Sequence, residues 1–505
     1  MLAVARTFTL FGIAAHEVHV EVDVGGGLAA FSLVGLPDVA VRESRERVRA
    51  AVSNSGFDFP LRRITASLAP ANLRKAGPGF DLAIAAALLA ASGQLSGGSP
   101  LDRFWLAGEL ALDGTVRPVP GVLAMAEEAR RRGAAGIAVA AGNAAEATLV
   151  EGLDVVPLET LGQLEELGRG ALEPVKRSRL PAASANGAGP AHADIADLRG
   201  QPYLRHALEI AAAGGHSIMM VGPPGAGKSL AARRLPSLLP PLGRDEAIEV
   251  TRIASVCGRP PTPGTLAARP YRAPHHTISA AGLVGGGNPP RAGEVTLAHG
   301  GVLFLDELGE FSRQALEALR QPLEEGRITV TRARHSIELP CRFMLVAASN
   351  PCPCGRGEGA RGCRCQEASV RRYEAKLSGA LADRIDISVA IEQPSAEAMR
   401  SAPGEPSAAV RARVVEARER QAARLGPGRC NSDMGPAETR RACRLEPRAA
   451  ELLARSHSQL GLSGRGYERV LRVARTVADL KGRDRVGADE VSQALTLRRR
   501  ATALR

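Results

Sequence analysis

Along residues 17–24 the side chains alternate. Val18, Val20, Val22 and Val24 fall between Glu17, His19, Glu21 and Asp23, the two-residue period of a half-buried β-strand. Beyond them the period lengthens. "AAFSLVGLPDVAVRESRERVRAAVSNSG" runs from a strand through a Gly-Leu-Pro turn into an amphipathic helix, and "RITASLAP" reads as a further strand. Residues 123–147 pattern as helix, strand, helix, so residues 1–170 are predicted to form an α/β domain. The apolar run "LAIAAALLAAS" at 82–92 is too short to cross a bilayer and predicts a buried helix. Residues 171–193 carry Ala, Pro and Gly without periodicity and read as a linker. A second α/β pattern occupies 194–392. After the loop "QPSAEAMRSAPGEPS" the rest of 393–505 reads as helices, a small all-α domain.

Composition narrows the class. A chain of 505 residues, 45% of them hydrophobic, is an ordinary globular protein of two to four domains. The N-terminal stretch lacks the basic region, apolar core and cleavage site of a signal peptide. The expectation is a cytoplasmic protein with no membrane partner, in which clustered thiols stay reduced. A net charge of +12 points to an anionic partner, nucleic acid first. Arginine scattered on helices such as 411–424 and 498–505 through codon bias is the alternative origin of that charge. Aromatic residues are few (Trp 1, Tyr 4, Phe 10), so contact with DNA should run through phosphates rather than stacked bases.

Two stretches carry phosphate chemistry. "VGPPGAGKSL" follows a strand and opens a helix, and Gly222, Pro223, Pro224, Gly225, Ala226, Gly227, Lys228 and Ser229 form a complete Walker A loop. Its glycines let backbone N–H groups turn toward phosphate oxygens at a helix N-terminus. Lys228 is expected to neutralise the β- and γ-phosphates of ATP, and Ser229 to ligate Mg²⁺. Some 75 residues on, the apolar strand of "GGVLFLDELGE" ends in two carboxylates. Asp306 fits a Mg²⁺ ligand and Glu307 the base that orients the attacking water. The strand "RFMLVAASN" ends in Asn350, which fits a residue holding that water or, alternatively, a turn-forming Asn before Pro351.

Four of the eight cysteines crowd one loop, Cys352-x-Cys354-x8-Cys363-x-Cys365. Two close pairs on a Gly-rich arm can close around Zn²⁺. A redox pair or Fe–S ligation fits the same residues, since the one-residue spacing is tighter than the usual two. Cys257, Cys341, Cys430 and Cys443 stand apart and are expected to be inert. "RITVTRARHSIELP" reads as a β-hairpin with a basic tip. The neighbouring His275 and His276 are expected to be hydrogen-bonded structural residues rather than a metal pair.

The Walker A loop, "FLDE", the strand ending in Asn350, "LADRIDI" and "SGRGYERVLRVARTVADL" together resemble an AAA+ ATPase of the magnesium-chelatase branch. With "LAPANLRKAGPGFDL", "YRAPHHTISAAGLVGGG", "QPLEEGRITVTRA" and "NPCPCG", the resemblance is to the ComM/YifB family and spans nearly the whole chain. It implies an N-terminal Lon-protease-like α/β domain, a central AAA+ P-loop α/β domain with a parallel sheet, and a C-terminal all-α lid domain. It also implies a homo-hexamer with ATP between subunits, acting on single-stranded and branched DNA as a branch-migration helicase in natural transformation. Arg384 of "LADRIDI" matches the family's arginine finger. Arg465 matches its sensor-2 arginine, with Arg469 as the alternative. Residues 269–287 match the insert in the second helix. The hairpin tip matches a pore loop, so Arg332 and Arg334 are expected to contact DNA. Where a Lon protease carries its nucleophilic serine, "RKAGPGFDL" has Gly79, so proteolysis is not expected. A metal-chelatase motor subunit, inserting Mg²⁺ with partners, and a non-motor ATPase scaffold are the competing readings.

Overall fold

The computed structural model describes the chain except residues 96–100, 102, 176–193, 261–265, 288–290, 333–334, 357–362, 379–380, 382–383 and 499–505. It forms two compact units, Met1–Ala183 with Ala247–Ala267, and Ser184–Glu246 with Ala268–Arg505. Residues 247–267, placed by their sequence pattern inside the second α/β segment, therefore belong to the first unit. There Gly121 N–H donates to Ser255 O at 3.2 Å, and Arg252 pairs with Glu127 at 3.1 Å. Neither long-range contact is announced by periodicity.

The first unit is built on a mixed seven-stranded sheet. Its strands are β1 (Leu2–Phe11), β2 (Ala14–Gly25), β3 (Ala30–Val34), β4 (Arg63–Ala69), β5 (Phe104–Ala107), β8 (Gly136–Ala140) and β9 (Asp154–Leu158). They run in the order β3-β4-β2-β1-β5-β8-β9, and β6 (Glu109–Leu110) with β7 (Val116–Arg117) forms a separate ribbon. The valines of the alternating stretch are all buried on β2. The helix Asp81–Ala91 covers them, ten of its eleven residues buried, which is why its sequence shows no polar face. Asp38 caps the helix Val39–Asn54, accepting from Val41 N–H at 2.9 Å. The buried Asp81 carboxylate takes hydrogen bonds from Arg47, Leu110 N–H and the Ser44 hydroxyl, a satisfied network that fixes the "GPGFDL" turn.

In the second unit a five-stranded parallel sheet runs β11-β14-β17-β10-β18. The strands are β10 (Ile218–Val221), β11 (Tyr271–Arg272), β14 (Val302–Leu305), β17 (Met344–Ser349) and β18 (Ile387–Ala390). The apolar runs "VLFL" and "MLVAAS" are buried along their whole length, as a parallel sheet covered on both faces requires. Two small antiparallel ribbons accompany it: β12 (Gly285–Gly286) with β13 (Arg291–Ala292), and β15 (Arg327–Arg332) with β16 (His335–Pro340). The C-terminal region is helical: Ser407–Leu425, Pro436–Ala442, Pro447–Leu460, Gly464–Leu480 and Ala488–Thr496. Val414, Leu453, Val473 and Ala474 from these helices share one core with Ile218, Val346 and Ile387 of the sheet. No helix among the described residues is long and apolar enough to cross a membrane.

Candidate active site

Because the second sheet is parallel, its strand ends share one edge, where ligands bind in such folds. β17 lies between β14 and β10, so the tips carrying Gly222, Asn350 and Asp306 are neighbours. Gly222 leaves β10 where no side chain fits: a Cβ would lie 2.3 Å from the Ile391 carbonyl oxygen. Gly225 and Gly227 take φ of 80° and 91°, left-handed backbone that glycine adopts without penalty. Those conformations turn the loop and start the helix Lys228–Arg234.

The functional side chains meet there. Lys228 Nζ donates to Gly222 O at 2.5 Å, Pro223 O at 2.9 Å and Asn350 Oδ1 at 3.1 Å. Burial lowers the Lys228 pKa, and the Asp306 and Glu307 carboxylates work against that shift. Ser229 Oγ donates to Asp306 Oδ2 at 2.6 Å, which places a hydroxyl and a carboxylate together as a Mg²⁺ site needs. Glu307, just past β14, has φ 52° and ψ 50°. For a residue other than glycine that conformation costs about 1–3 kcal/mol, a strain found preferentially at functional sites.

The sequence does not announce the part that two residues play in this site. His276 Nδ1 lies 3.5 Å from Glu307 Oε2. The His275 and His276 rings stand 4.1 Å apart, and His275 Nδ1 meets Thr277 Oγ1 at 2.9 Å. The two adjacent rings lie together, and one of them reaches the carboxylate at the tip of β14. Gln201 Nε2 donates to Glu392 O at 2.7 Å and reaches Ala226 O at 3.5 Å, bracing the glycine-rich loop against the end of β18.

The arginines divide. Arg384 Nη2 donates to Glu324 Oε1 at 2.6 Å, and Arg465 Nη1 lies 3.6 Å from the same oxygen. Arg469 instead pairs with Asp386 at 3.2 Å, where His216 Nδ1 also sits at 3.3 Å. Burial would raise the Asp386 pKa, but the His216 hydrogen bond and the Arg469 and Arg472 charges outweigh it and hold the carboxyl low. Arg465 is 68% exposed and Arg469 only 15%. Arg334 lies outside the described residues, as does the side chain of Arg332. The backbone around them is the expected hairpin, with Arg332 opposite His335 and Ile328, Val330, Ile337 and Leu339 buried.

Beside the glycine-rich loop stand the four clustered cysteines, their sulfurs all within 4.8 Å of one another. Cys352 Sγ lies 3.3 Å from Cys354 Sγ and 4.0 Å from Cys363 Sγ, and Cys354 Sγ lies 3.6 Å from Cys363 Sγ. Thiolates about 2.3 Å from a central Zn²⁺ in a tetrahedron stand about 3.8 Å apart, so this set fits such an ion. The Arg356 backbone N–H, followed by Cys352 and Cys365, holds the Cys354 thiol down at about 6. Burial pushes the isolated Cys341 and Cys443 thiols up to about 12, which keeps them unreactive at neutral pH. In the first unit Gly79 sits on the turn Pro78–Phe80, where a Cβ would meet Val119 Cγ1 at 3.7 Å. The fully buried Lys75 ammonium donates to the Pro70 carbonyl.

Three family models match the chain. Residues 194–399 match magnesium chelatase, subunit ChlI; residues 20–143 match subunit ChlI of Mg-chelatase; residues 404–498 match the subunit ChlI C-terminal model. The chain is 42% identical to the uncharacterized protein YifB of Salmonella typhimurium over 502 residues, covering 98% of this chain and 97% of that one. It is 40% identical to competence protein ComM of Haemophilus influenzae over 503 residues, with the same coverage. The chain belongs to the magnesium-chelatase-like ComM/YifB family of AAA+ ATPases. A shorter similarity, 28% over 225 residues, links 39% of the chain to Lon protease 2 of Bacillus subtilis. The family's three-part architecture accounts for the mixed sheet, the parallel P-loop sheet and the helical C-terminal region.

Proposed function

We propose that this chain is an ATP-hydrolysing hexameric motor that acts on DNA as a helicase or branch-migration translocase. The observation that carries the reading is the convergence of Lys228, Ser229, Asp306, Glu307 and Asn350 at one edge of a parallel sheet. In this reading residues 222–229 wrap the ATP phosphates. Ser229 and Asp306 hold Mg²⁺, which supplies charge neutralisation on the β- and γ-oxygens. Glu307 orients the attacking water, with Asn350 beside it. Arg384 serves the nucleotide of the neighbouring subunit, where an always-charged planar guanidinium suits the γ-phosphate. Arg465 serves the nucleotide from the helical region.

DNA as the partner is supported by the +12 charge, by the basic hairpin with Arg332 and Arg334, and by a relative named competence protein. Cys352, Cys354, Cys363 and Cys365 would hold a structural Zn²⁺ whose chemistry is to cross-link a short loop without redox activity. Reduced thiols of that kind agree with a cytoplasmic setting. The functional segments follow as 1–170, the linker 171–193, 194–392 and 393–505, and the first is non-proteolytic because Gly79 offers no nucleophile. The second reading, a chelatase-type motor subunit, is favoured by the matched models, all of which describe subunit ChlI.

ATP turnover measured with and without single-stranded and forked DNA, followed by strand displacement, decides between them. The DNA reading expects stimulated turnover and displacement by the wild type, and neither by Lys228→Ala or Glu307→Gln. Turnover indifferent to every DNA would refute it and leave the chelatase-type motor.

A further inference from the structure

The cysteine cluster is joined to the nucleotide site at two points. Gly355, in the turn that begins between the first two cysteines, is buried, has φ 83°, and donates its N–H to Cys352 O at 2.9 Å. A Cβ on Gly355 would lie 2.8 Å from Pro224 Cγ and 2.9 Å from its Cδ, with Asn350 Cγ at 3.8 Å. The turn therefore lies flat against the glycine-rich loop and beside the residue that receives the Lys228 hydrogen bond. Cys352 itself has no exposed surface.

The chain leaves the fourth cysteine into the helix Glu367–Ser378, which returns to the same site. Tyr373 Oη lies 3.0 Å from Ser349 Oγ, one residue before Asn350. Its ring covers Gly309, three residues past Asp306, so closely that a Cβ there would stand 2.3 Å from Tyr373 Cε2. One contact thus presses on the Walker A loop and the other on the tips of β14 and β17. The first contact falls inside the cysteine cluster, between Cys354 and Cys363, and the second follows its last member, Cys365.

Resting on the nucleotide reading above, we infer that Zn²⁺ bound by Cys352, Cys354, Cys363 and Cys365 holds Pro224 and Asn350 in place, so that nucleotide affinity depends on that metal. The physical ground is the small size of the loop. The segment from Cys352 to Cys365 is fourteen residues long, too few to bury the apolar surface that would fix its own shape, and a tetrathiolate cross-link supplies that rigidity. Once the cross-link is lost, the turn at Gly355 gains conformational freedom, and the loop it abuts loses the wall that shapes it. Gly355 and Tyr373 are positioning residues in this scheme; neither is placed against the phosphates.

The test uses the full chain as purified under reducing conditions. Zinc is measured by elemental analysis, and nucleotide affinity by titration with a fluorescent ADP analogue. Stripping with a chelator is expected to weaken binding at least tenfold, and one equivalent of Zn²⁺, but not added Mg²⁺, to restore it. Gly355→Ala is expected to keep one zinc per chain yet bind the analogue at least fivefold more weakly, because the added methyl displaces Pro224. This variant decides the matter should stripping unfold the protein. Stripped protein that binds within twofold of the loaded form overturns the coupling, as does zinc-loaded Gly355→Ala with unchanged affinity. Purified protein with intact thiols and no zinc overturns it as well. Zinc-loaded wild type that binds no nucleotide at all would instead defeat the nucleotide reading on which the coupling rests.

Discussion

At the scale of single residues, the site separates groups that hold a nucleotide from groups that act on water, and the two should fail differently. Lys228 is the one ammonium placed over the loop mouth among the described residues that line it. Its removal in Lys228→Ala is expected to abolish measurable nucleotide binding, read by the same fluorescent titration. Among the described residues, the partner of the Glu307 carboxylate is His276 rather than the glycine-rich loop. Glu307→Gln should therefore bind ATP with wild-type affinity while turnover falls by about 10²–10⁴-fold, the usual worth of a general base. His276 tests the strain at Glu307. A carboxylate in left-handed backbone needs an external group to fix its direction, and His276 Nδ1 at 3.5 Å is the group present. His276→Ala is expected to lower kcat about 10-fold, since small displacements of a catalytic group are costly, with nucleotide affinity unchanged. His276→Asn, which keeps a donor, should recover most of the loss; equal damage by both variants would show that His276 merely fills space.

Among the elements, the hairpin β15–β16 is the one proposed to meet DNA. Ile328, Val330, Ile337 and Leu339 bury one face, and the charge proposed to meet DNA is carried by Arg332 and Arg334. If Arg332 and Arg334 each neutralise a phosphate, the double alanine variant should flatten the salt dependence of single-strand binding by about 1.4 in log–log slope. ATP turnover without DNA should stay as it was. An unchanged slope would move the DNA contact elsewhere. This hairpin, the buried helix Asp81–Ala91 and the strand ends carrying Asp306 and Asn350 were all legible in the sequence, because each is written in local periodicity or in turn residues at fixed offsets. The Walker A loop was legible for a stronger reason: its glycines are dictated by backbone geometry at Gly222, Gly225 and Gly227. What stayed hidden depends on residues far apart in the chain. Nothing near Gln201 announces Glu392, and nothing in the cysteine loop announces that Gly355 would meet Pro224. The pairing of β1 with both β2 and β5 likewise follows from tertiary packing rather than from the pattern of residues 2–11. The approach of His276 to Glu307 is also set by tertiary packing, which the sequence "PHHT" does not announce.

For the whole molecule, the question is whether one chain contains a complete site. Within the chain Arg384 is engaged by Glu324 at 2.6 Å, and Arg465 lies 3.6 Å from the same carboxylate. An arginine whose charge is matched by its own chain contributes little to that chain's nucleotide, and in the proposed ring its guanidinium would serve the next subunit. Closed head-to-tail rings place one surface of each protomer against a different surface of its neighbour, so Lys228 and Arg384 would serve a shared site from opposite sides. That arrangement makes a prediction no single-chain site can satisfy. Lys228→Ala and Arg384→Ala should each lack turnover, the second while still binding ATP. When the two are mixed in equal amounts and allowed to exchange, about one interface in four joins an intact Lys228 to an intact Arg384, if subunits combine at random. ATP turnover of the mixture should then rise from near zero toward about a quarter of the wild-type rate when sites fire independently, and less if they fire in concert. A mixture as inactive as its components, in subunits shown by light scattering to have co-assembled, would place Arg384 and Lys228 at the same nucleotide within one chain. Glu324 would then be the partner that keeps the arginine folded back on its own protomer.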